Sequence, residues 1–250
     1  MTIKRQTTTR THTFQRTGDN AVTYDLSRPG SVTITVPAGS KWSSGPHWHE
    51  THTEFLQVLQ GRAFVGLGSR VRAYGSEDGV IEVPRFTVHE WHRVWQDDGG
   101  GGDDPDDPDG QDDQDDQEVV DLVVREWTVP EDGQKEVFFR MLNSFLTEDA
   151  PASLYELPVP VPRVAHSWIE QWVVALQLNC IFWTCDNWPL LLGRDSGFVS
   201  WIATHLVLRA SVALGSVLGL RGRYKEYVGE KQDVAGSGDG EEAGKKRKAG

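Results

Sequence analysis

Three histidines and one glutamate carry the spacing best suited to chemistry. The chain reads His47-Trp48-His49-Glu50-Thr51-His52-Thr53-Glu54, with Gly61 following. In extended backbone, residues two apart share a face, so His47 and His49 present their imidazoles together. Glu54 lies five residues beyond His49. Simple alternation would send it to the other face, so a turn between them is needed to bring the carboxylate back. Gly61 stands where a tight hairpin would need a glycine. Downstream, Gly79 and Pro84 close another short run, and His89 lies five after Pro84. Neighbouring strands lie about 4.8 Å apart, so His89 can reach the same point in a barrel. Neutral imidazoles with one carboxylate suit a single divalent ion: Fe(II), Mn(II), Ni(II) or Zn(II). Glu54 would be a ligand first, and a base as well if it dissociates.

Residues around this quartet have a structural and a functional reading. His52 and His92 are expected as supporting or surface histidines, with His92 pointing away from His89. Trp48, Trp91 and Trp95 either fill the core and rim or form an aromatic wall for an apolar ligand. Arg93 is either an exposed strand charge or a hold on an oxygen-bearing substrate. Trp48, Trp91 and Arg93 are the candidate substrate-pocket residues.

The elements that must position these groups are short. Runs of β type occupy 21–26, 31–36, 54–59, 62–67, 70–74, 80–83, 87–91 and 119–129, punctuated by Gly and Pro. That density of short strands predicts a sandwich or barrel over 21–130. Residues 1–20 read as a polar arm. From Asp97 to Glu118 the chain has twelve acidic residues and no Lys or Arg, which predicts a disordered loop insertion. An EF-hand fails there, because Pro105 takes the first ligand position and Asp116 the twelfth. After Pro130 the period becomes helical: Val137, Phe138, Met141, Leu142 and Phe145 fall on one stripe. The helical region is expected over 131–228, followed by a solvated tail over 229–250.

Within it, Phe198 to Leu220 is long enough to span a bilayer but contains His205 and Arg209. A mid-membrane arginine costs about 2.5–3.5 kcal/mol on insertion scales. Three placements remain open: packing against the barrel or a second subunit, lying on a membrane surface, and spanning. A homodimer through these helices is one expectation, and membrane-surface contact another.

The net charge of −12 belongs to the acidic segment; outside it, 25 acidic residues balance 25 basic ones. Nothing in that balance suggests nucleic-acid binding. Cys180 and Cys185 are too few for a disulfide scaffold and read as buried thiols. No apolar leader follows the start, so the expected location is the cytoplasm, with membrane association left open. Gly66-Leu67-Gly68 lacks the third glycine of a dinucleotide site, so no nucleotide cofactor is expected.

The stretches His47–Gly61 and Gly79–His89 resemble the two cupin motifs, with all four ligand positions and two turn glycines in place. The resemblance covers about 110 residues. It implies a mainly β fold, a double-stranded β-barrel or jelly roll, here with a C-terminal apolar helical region. It also implies one metal ion held by His47, His49, Glu54 and His89 with open coordination positions. This chain departs from the pattern at Phe86, where a glycine is usual, at Arg93, where an asparagine is usual, and in the placing of Gly39 and Gly45. The pieces Thr204–Arg209 and Arg223–Tyr227 resemble fungal cupin oxidoreductases from clusters that make salicylaldehyde-type polyketides. That likeness implies a metal-dependent oxidoreductase acting on a small apolar polyketide alcohol or aldehyde, with Fe(II) the preferred ion. Dehydration, cyclisation, isomerisation or plain binding of the same class of molecule are the alternatives.

Overall fold

The computed structural model describes residues 5–94, 120–148, 163–193 and 197–229. The acidic stretch 97–118, Trp95 and the tail beyond 229 lie outside them. In chain order the elements are β1 Thr13–Arg16, β2 Val22–Asp25, β3 Ser31–Val36, β4 His47–Trp48, β5 Thr53–Gln60 and β6 Ala63–Leu67. Then come β7 Arg70–Tyr74, β8 Val80–Val83, β9 His89–Arg93, β10 Leu122–Val129, α1 Gln134–Leu146, α2 Arg163–Thr184, β11 Trp188–Pro189, α3 Gly197–Val217 and α4 Lys225–Val228.

All pairings are antiparallel. One sheet runs β1-β2-β3-β10-β5-β8 and the other β11-β4-β9-β6-β7. Their inner faces enclose one core that includes Val32, Ile34, Leu56, Val65 and Val124. Two antiparallel sheets closed on one core make the double-stranded β-barrel that the motif resemblance implies, with helices on its C-terminal side. Alternation drives it: β3, β5 and β10 each bury every second residue. Two inward positions carry acids, Glu54 on β5 and Glu126 on β10, 1% and 3% exposed. Buried carboxylates are tolerated only when paired, so these two mark a place where charge is organised.

Two expected boundaries are corrected. The polar arm over 1–20 is part of the fold from residue 5. β1 pairs with β2, and buried Arg5 bonds Glu148 at 2.9 Å and the Tyr224 hydroxyl at 3.2 Å. The region beyond 131 is not purely helical either, because β11 joins the second sheet beside β4. A two-residue strand holding a proline has no periodicity to read.

α1 turns Val137, Met141 and Phe145 toward Ile181 of α2, Tyr224 just before α4 and Tyr227 within it. Its Phe139 faces the barrel and meets Tyr24 at 5.2 Å between ring centroids. The first turn of α1 thereby lies against the barrel interior.

Candidate metal centre

β4 sets His47 opposite His89 of β9. His49 follows in irregular chain, and β5 begins at Thr53, so the parity of the strand is broken between His49 and Glu54. That break returns Glu54 to the side of the histidines. The ligand atoms of His47, His49, Glu54 and His89 all lie within 4.8 Å of one another. The structure therefore brings together all four residues singled out by spacing, in a group that could hold one metal ion.

The hydrogen bonding fits such an ion. Each histidine turns Nδ1 toward a backbone carbonyl: His47 to Gly45 at 2.8 Å, His49 to Asp186 at 2.6 Å and His89 to Thr87 at 3.1 Å. A carbonyl only accepts, so each Nδ1 carries the hydrogen and each Nε2 is left facing the cluster. His89 Nε2 is buried without a hydrogen-bond partner among the described residues, 3.4 Å from Glu54 Oε1. His49 Nε2 lies 2.9 Å from Glu54 Oε2. A lone pair and a carboxylate oxygen at that distance repel unless a proton or a cation lies between them. Burial, with its histidine neighbours, holds the pKa of His47 well below the ordinary imidazole value. It is thus a neutral donor.

Sequence reasoning missed three further residues of the site. Lys135, in the first turn of α1, contacts Glu54 Oε2 and lies 3.0 Å from Glu126 Oε2. Burial opposes the charge on Glu54, but the Lys135 ammonium, with His49 and His89 alongside, outweighs it and holds the carboxyl well below its usual range. Glu126 goes the other way: burial raises it despite Lys135, with the Glu54 charge adding to the rise. Burial also works against the Lys135 ammonium, but Glu126 and Glu54 more than offset it and raise its pKa.

Asp186, the third, follows α2 at φ 53. Its Oδ1 accepts from the Glu50 N–H and from Trp188 Nε1, both at 2.9 Å. Its Oδ2 accepts from the Thr51 N–H at 2.9 Å, the Thr51 hydroxyl at 2.6 Å and His52 Nδ1 at 2.9 Å. Burial opposes this charge, but the five donors hold Asp186 well below the carboxylate range. His52 is raised, first by its bond to Asp186. One acid therefore secures the loop that carries His49.

None of the three expected pocket residues borders the ligand cluster, though Trp48 lines a separate apolar groove. Trp48, between two ligand histidines in an extended pair, faces the opposite way and stacks on Trp188 at 6.5 Å. Trp91 is core: 1% exposed, it donates from Nε1 to Glu126 at 2.6 Å. Arg93 donates to the Val120 carbonyl at 2.6 Å, four residues and about 13 Å of strand from His89. His92 stacks on Phe64 at 5.8 Å, away from His89. The cavity that does adjoin the cluster measures about 620 Å3 and includes His47, Glu126, Lys135, Tyr24, Trp42 and Phe139 in its wall. A separate apolar groove of about 480 Å3 lies between Trp48 and Phe86 on one side and Phe198 and Trp201 on the other.

Phe86 has φ 62. The turn before His89 takes the left-handed conformation that favours glycine, and here a phenylalanine adopts it.

No family model matches the sequence, and no curated protein matches it. Among solved structures, similarity is found to the capsular polysaccharide assembling protein CapF of Staphylococcus aureus, at 15% identity and TM-score 0.30 over 46% of this chain and 28% of that one. The chain thus spans less than a third of CapF. A predicted oxalate decarboxylase of Thermotoga maritima matches at 13% identity and TM-score 0.33, over 51% of this chain and 97% of that one. The cupin domain of Cnp3 from Schizosaccharomyces pombe matches at 14% identity and TM-score 0.30, over 49% and 73%. The barrel itself is read from this chain's own strand order and register.

Proposed function

We propose that this chain is a metal-dependent oxidoreductase that tailors a reduced, alkyl-bearing polyketide alcohol or aldehyde of salicylaldehyde type, in the cytoplasm of a fungus. The observation that carries the reading is the ligand quartet beside a cavity of about 620 Å3 with a mixed wall. Trp42, Phe138 and Phe139 offer aromatic surface to a ring or alkyl chain, and Lys135 offers a cation to a substrate oxygen. A divalent ion held by His47, His49, Glu54 and His89 would supply Lewis acidity, and Fe(II) would add one-electron chemistry.

The chain's own contribution is charge placement. Lys135 keeps Glu54 ionised as a ligand. Tyr24, its hydroxyl pushed up to about 12 by burial, stays protonated at the cavity wall. The raised carboxyl of Glu126 beside Lys135 favours a second reading, in which this pair supplies acid–base catalysis for dehydration, cyclisation or isomerisation.

The test is metal analysis of the purified protein, followed by turnover of an alkyl salicyl alcohol with and without dioxygen. One bound ion and oxygen-dependent turnover support the oxidoreductase. Full turnover without oxygen removes the oxidase version and favours the second reading. If His47→Ala and His89→Ala lose the metal yet the pathway product still forms, the site binds without catalysing.

A further inference from the structure

Water-soluble helices bury their large apolar residues and expose polar ones. α3 does the reverse. Its buried positions are Ser200, Thr204, Leu208, Ser211 and Gly215. Its opposite face exposes Phe198, Val199, Leu206, Leu214 and Val217, from 51% to 82%. The inward side is held by polar and close contacts. Thr204 Oγ1 donates to the Pro189 carbonyl at 2.9 Å, Asn179 Nδ2 to Ser211 Oγ at 2.9 Å, and a Cβ on Gly215 would stand 2.8 Å from Cys180 Sγ. Small residues and interhelical hydrogen bonds are how helices pack when their surroundings are as apolar as their side chains.

The outward face continues onto neighbouring elements. Trp168 and Trp172 of α2 are 65% and 57% exposed, and Phe86 is 61% exposed. Among the described residues of α3 the charges are cationic: Arg209 is exposed, and no acid lies in the helix. Arg221 and Lys225, both exposed, follow it. Arg221 and Lys225 stand at the C-terminal margin of that face and Arg209 within it, with one exposed acid, Glu170, between the two tryptophans. Exposed tryptophan with cations beside it is the pattern of a membrane–water interface.

By length and composition α3 is able to cross a bilayer, but its packing argues against that. At its middle, Thr204 bonds the barrel strand β11, and His205 Nε2 lies 3.3 Å from Glu50 Oε1. Spanning would carry the polar barrel into the hydrocarbon. We infer that the outward face of α3, with the exposed tryptophans of α2, seats the protein on the surface of an anionic lipid bilayer. This goes beyond the proposed reaction and does not depend on it.

The experiment is co-sedimentation of the full chain with vesicles of phosphatidylcholine, with and without phosphatidylserine. The comparison variants are Leu206→Ser with Val217→Ser, and Arg209→Glu with Arg221→Glu. These side chains are exposed, so circular dichroism should show an intact fold. Binding to the anionic vesicles should fall about tenfold for each large apolar side chain removed, and the charge reversal should abolish the preference for phosphatidylserine. Three results would overturn the inference: wild-type protein that stays in the supernatant, binding unchanged in the apolar variant, or equal binding to both vesicle types. A dimer in sedimentation velocity that the apolar variant dissociates, without vesicle binding, would assign the face to a second copy instead.

Discussion

Replacing Asp186 by asparagine tests whether one distant acid holds the metal loop. The side chain is 6% exposed, and each carboxylate oxygen serves at least two donors. An amide keeps one acceptor and turns its NH2 toward the other set. If Oδ1 is the atom replaced, the Glu50 N–H and Trp188 Nε1 lose their acceptor; if Oδ2, the Thr51 N–H and His52 lose theirs. Asparagine tolerates the left-handed backbone at this position, so the change isolates the charge and the acceptors. In either case one stranded donor is buried, Trp188 Nε1 or His52 Nδ1, while the backbone N–H is only part-buried. One unsatisfied buried donor costs about 1–3 kcal/mol. At this chain length, 1 kcal/mol moves the melting temperature by about 2–4 °C, so a drop of roughly 2–12 °C is expected by calorimetry. His49 leans on the Asp186 carbonyl through the same loop, and disturbing such an outer contact weakens metal binding by about 10- to 100-fold. Titration calorimetry with a divalent ion, below the melting point of the variant, reads that loss directly. A D186N protein with wild-type melting and wild-type metal affinity would refute the reasoning.

Three other outcomes are expected. Lys135→Met leaves Glu54 and Glu126 buried without their cation, at a cost of about 3–5 kcal/mol. Because a bound ion would take up the Glu54 charge, melting should fall more in metal-free than in metal-loaded protein, and equal falls would contradict the pairing. Phe86→Gly removes a left-handed phenylalanine and should raise stability by about 1–2 kcal/mol in denaturant unfolding; a loss would show that the ring contributes more by packing. Burial pushes the thiols of Cys180 and Cys185 up to about 11 and about 12. Neither should react with iodoacetamide at neutral pH until the protein is unfolded, which mass spectrometry can follow.

The pair Asp186–His52 sets a pH window. A depressed acid stabilises above its unfolded value of about 3.9 and loses that as pH falls toward its folded one. A raised histidine stabilises below its unfolded value of about 6.5 and loses that as pH rises through its folded one. The pair's contribution should therefore be greatest between about pH 4 and 6.5. His52→Gln should remove the decline on the alkaline side of the melting profile and also weaken the acid side, because His52 is one of the donors that hold Asp186 down.

Much of this arrangement was legible because it is local. Eight expected strands coincide with β2, β3 and β5–β10 to within a few residues, since alternation and turn glycines act over neighbouring positions. The ligand quartet was legible for the same reason. Alternation also contained the answer for Trp48. A residue between two histidines of one face must point the other way, and it packs on Trp188 accordingly. Lys135 was hidden because its role depends on where α1 meets the barrel, 81 residues from Glu54. The helical period places Lys135 beside the apolar stripe and says nothing of what lies beneath the first turn.

The parity conflict between His49 and Glu54 connects the legible part to the hidden part. Five residues cannot keep two ligands on one face in regular strand, so the chain must leave the ladder between them. Backbone N–H groups released from a ladder need other acceptors, and the need grows as water is excluded. Glu50 and Thr51 are the residues released, and their part-buried N–H groups both bond the carboxylate of Asp186. The spacing of the metal motif thus creates a demand for an acceptor that the motif does not contain. An acid more than 130 residues away, held beside β11, meets it. On this argument the helical region is not an appendage to a finished barrel, and a chain cut after β10 should lose the metal geometry even where the sheets still form.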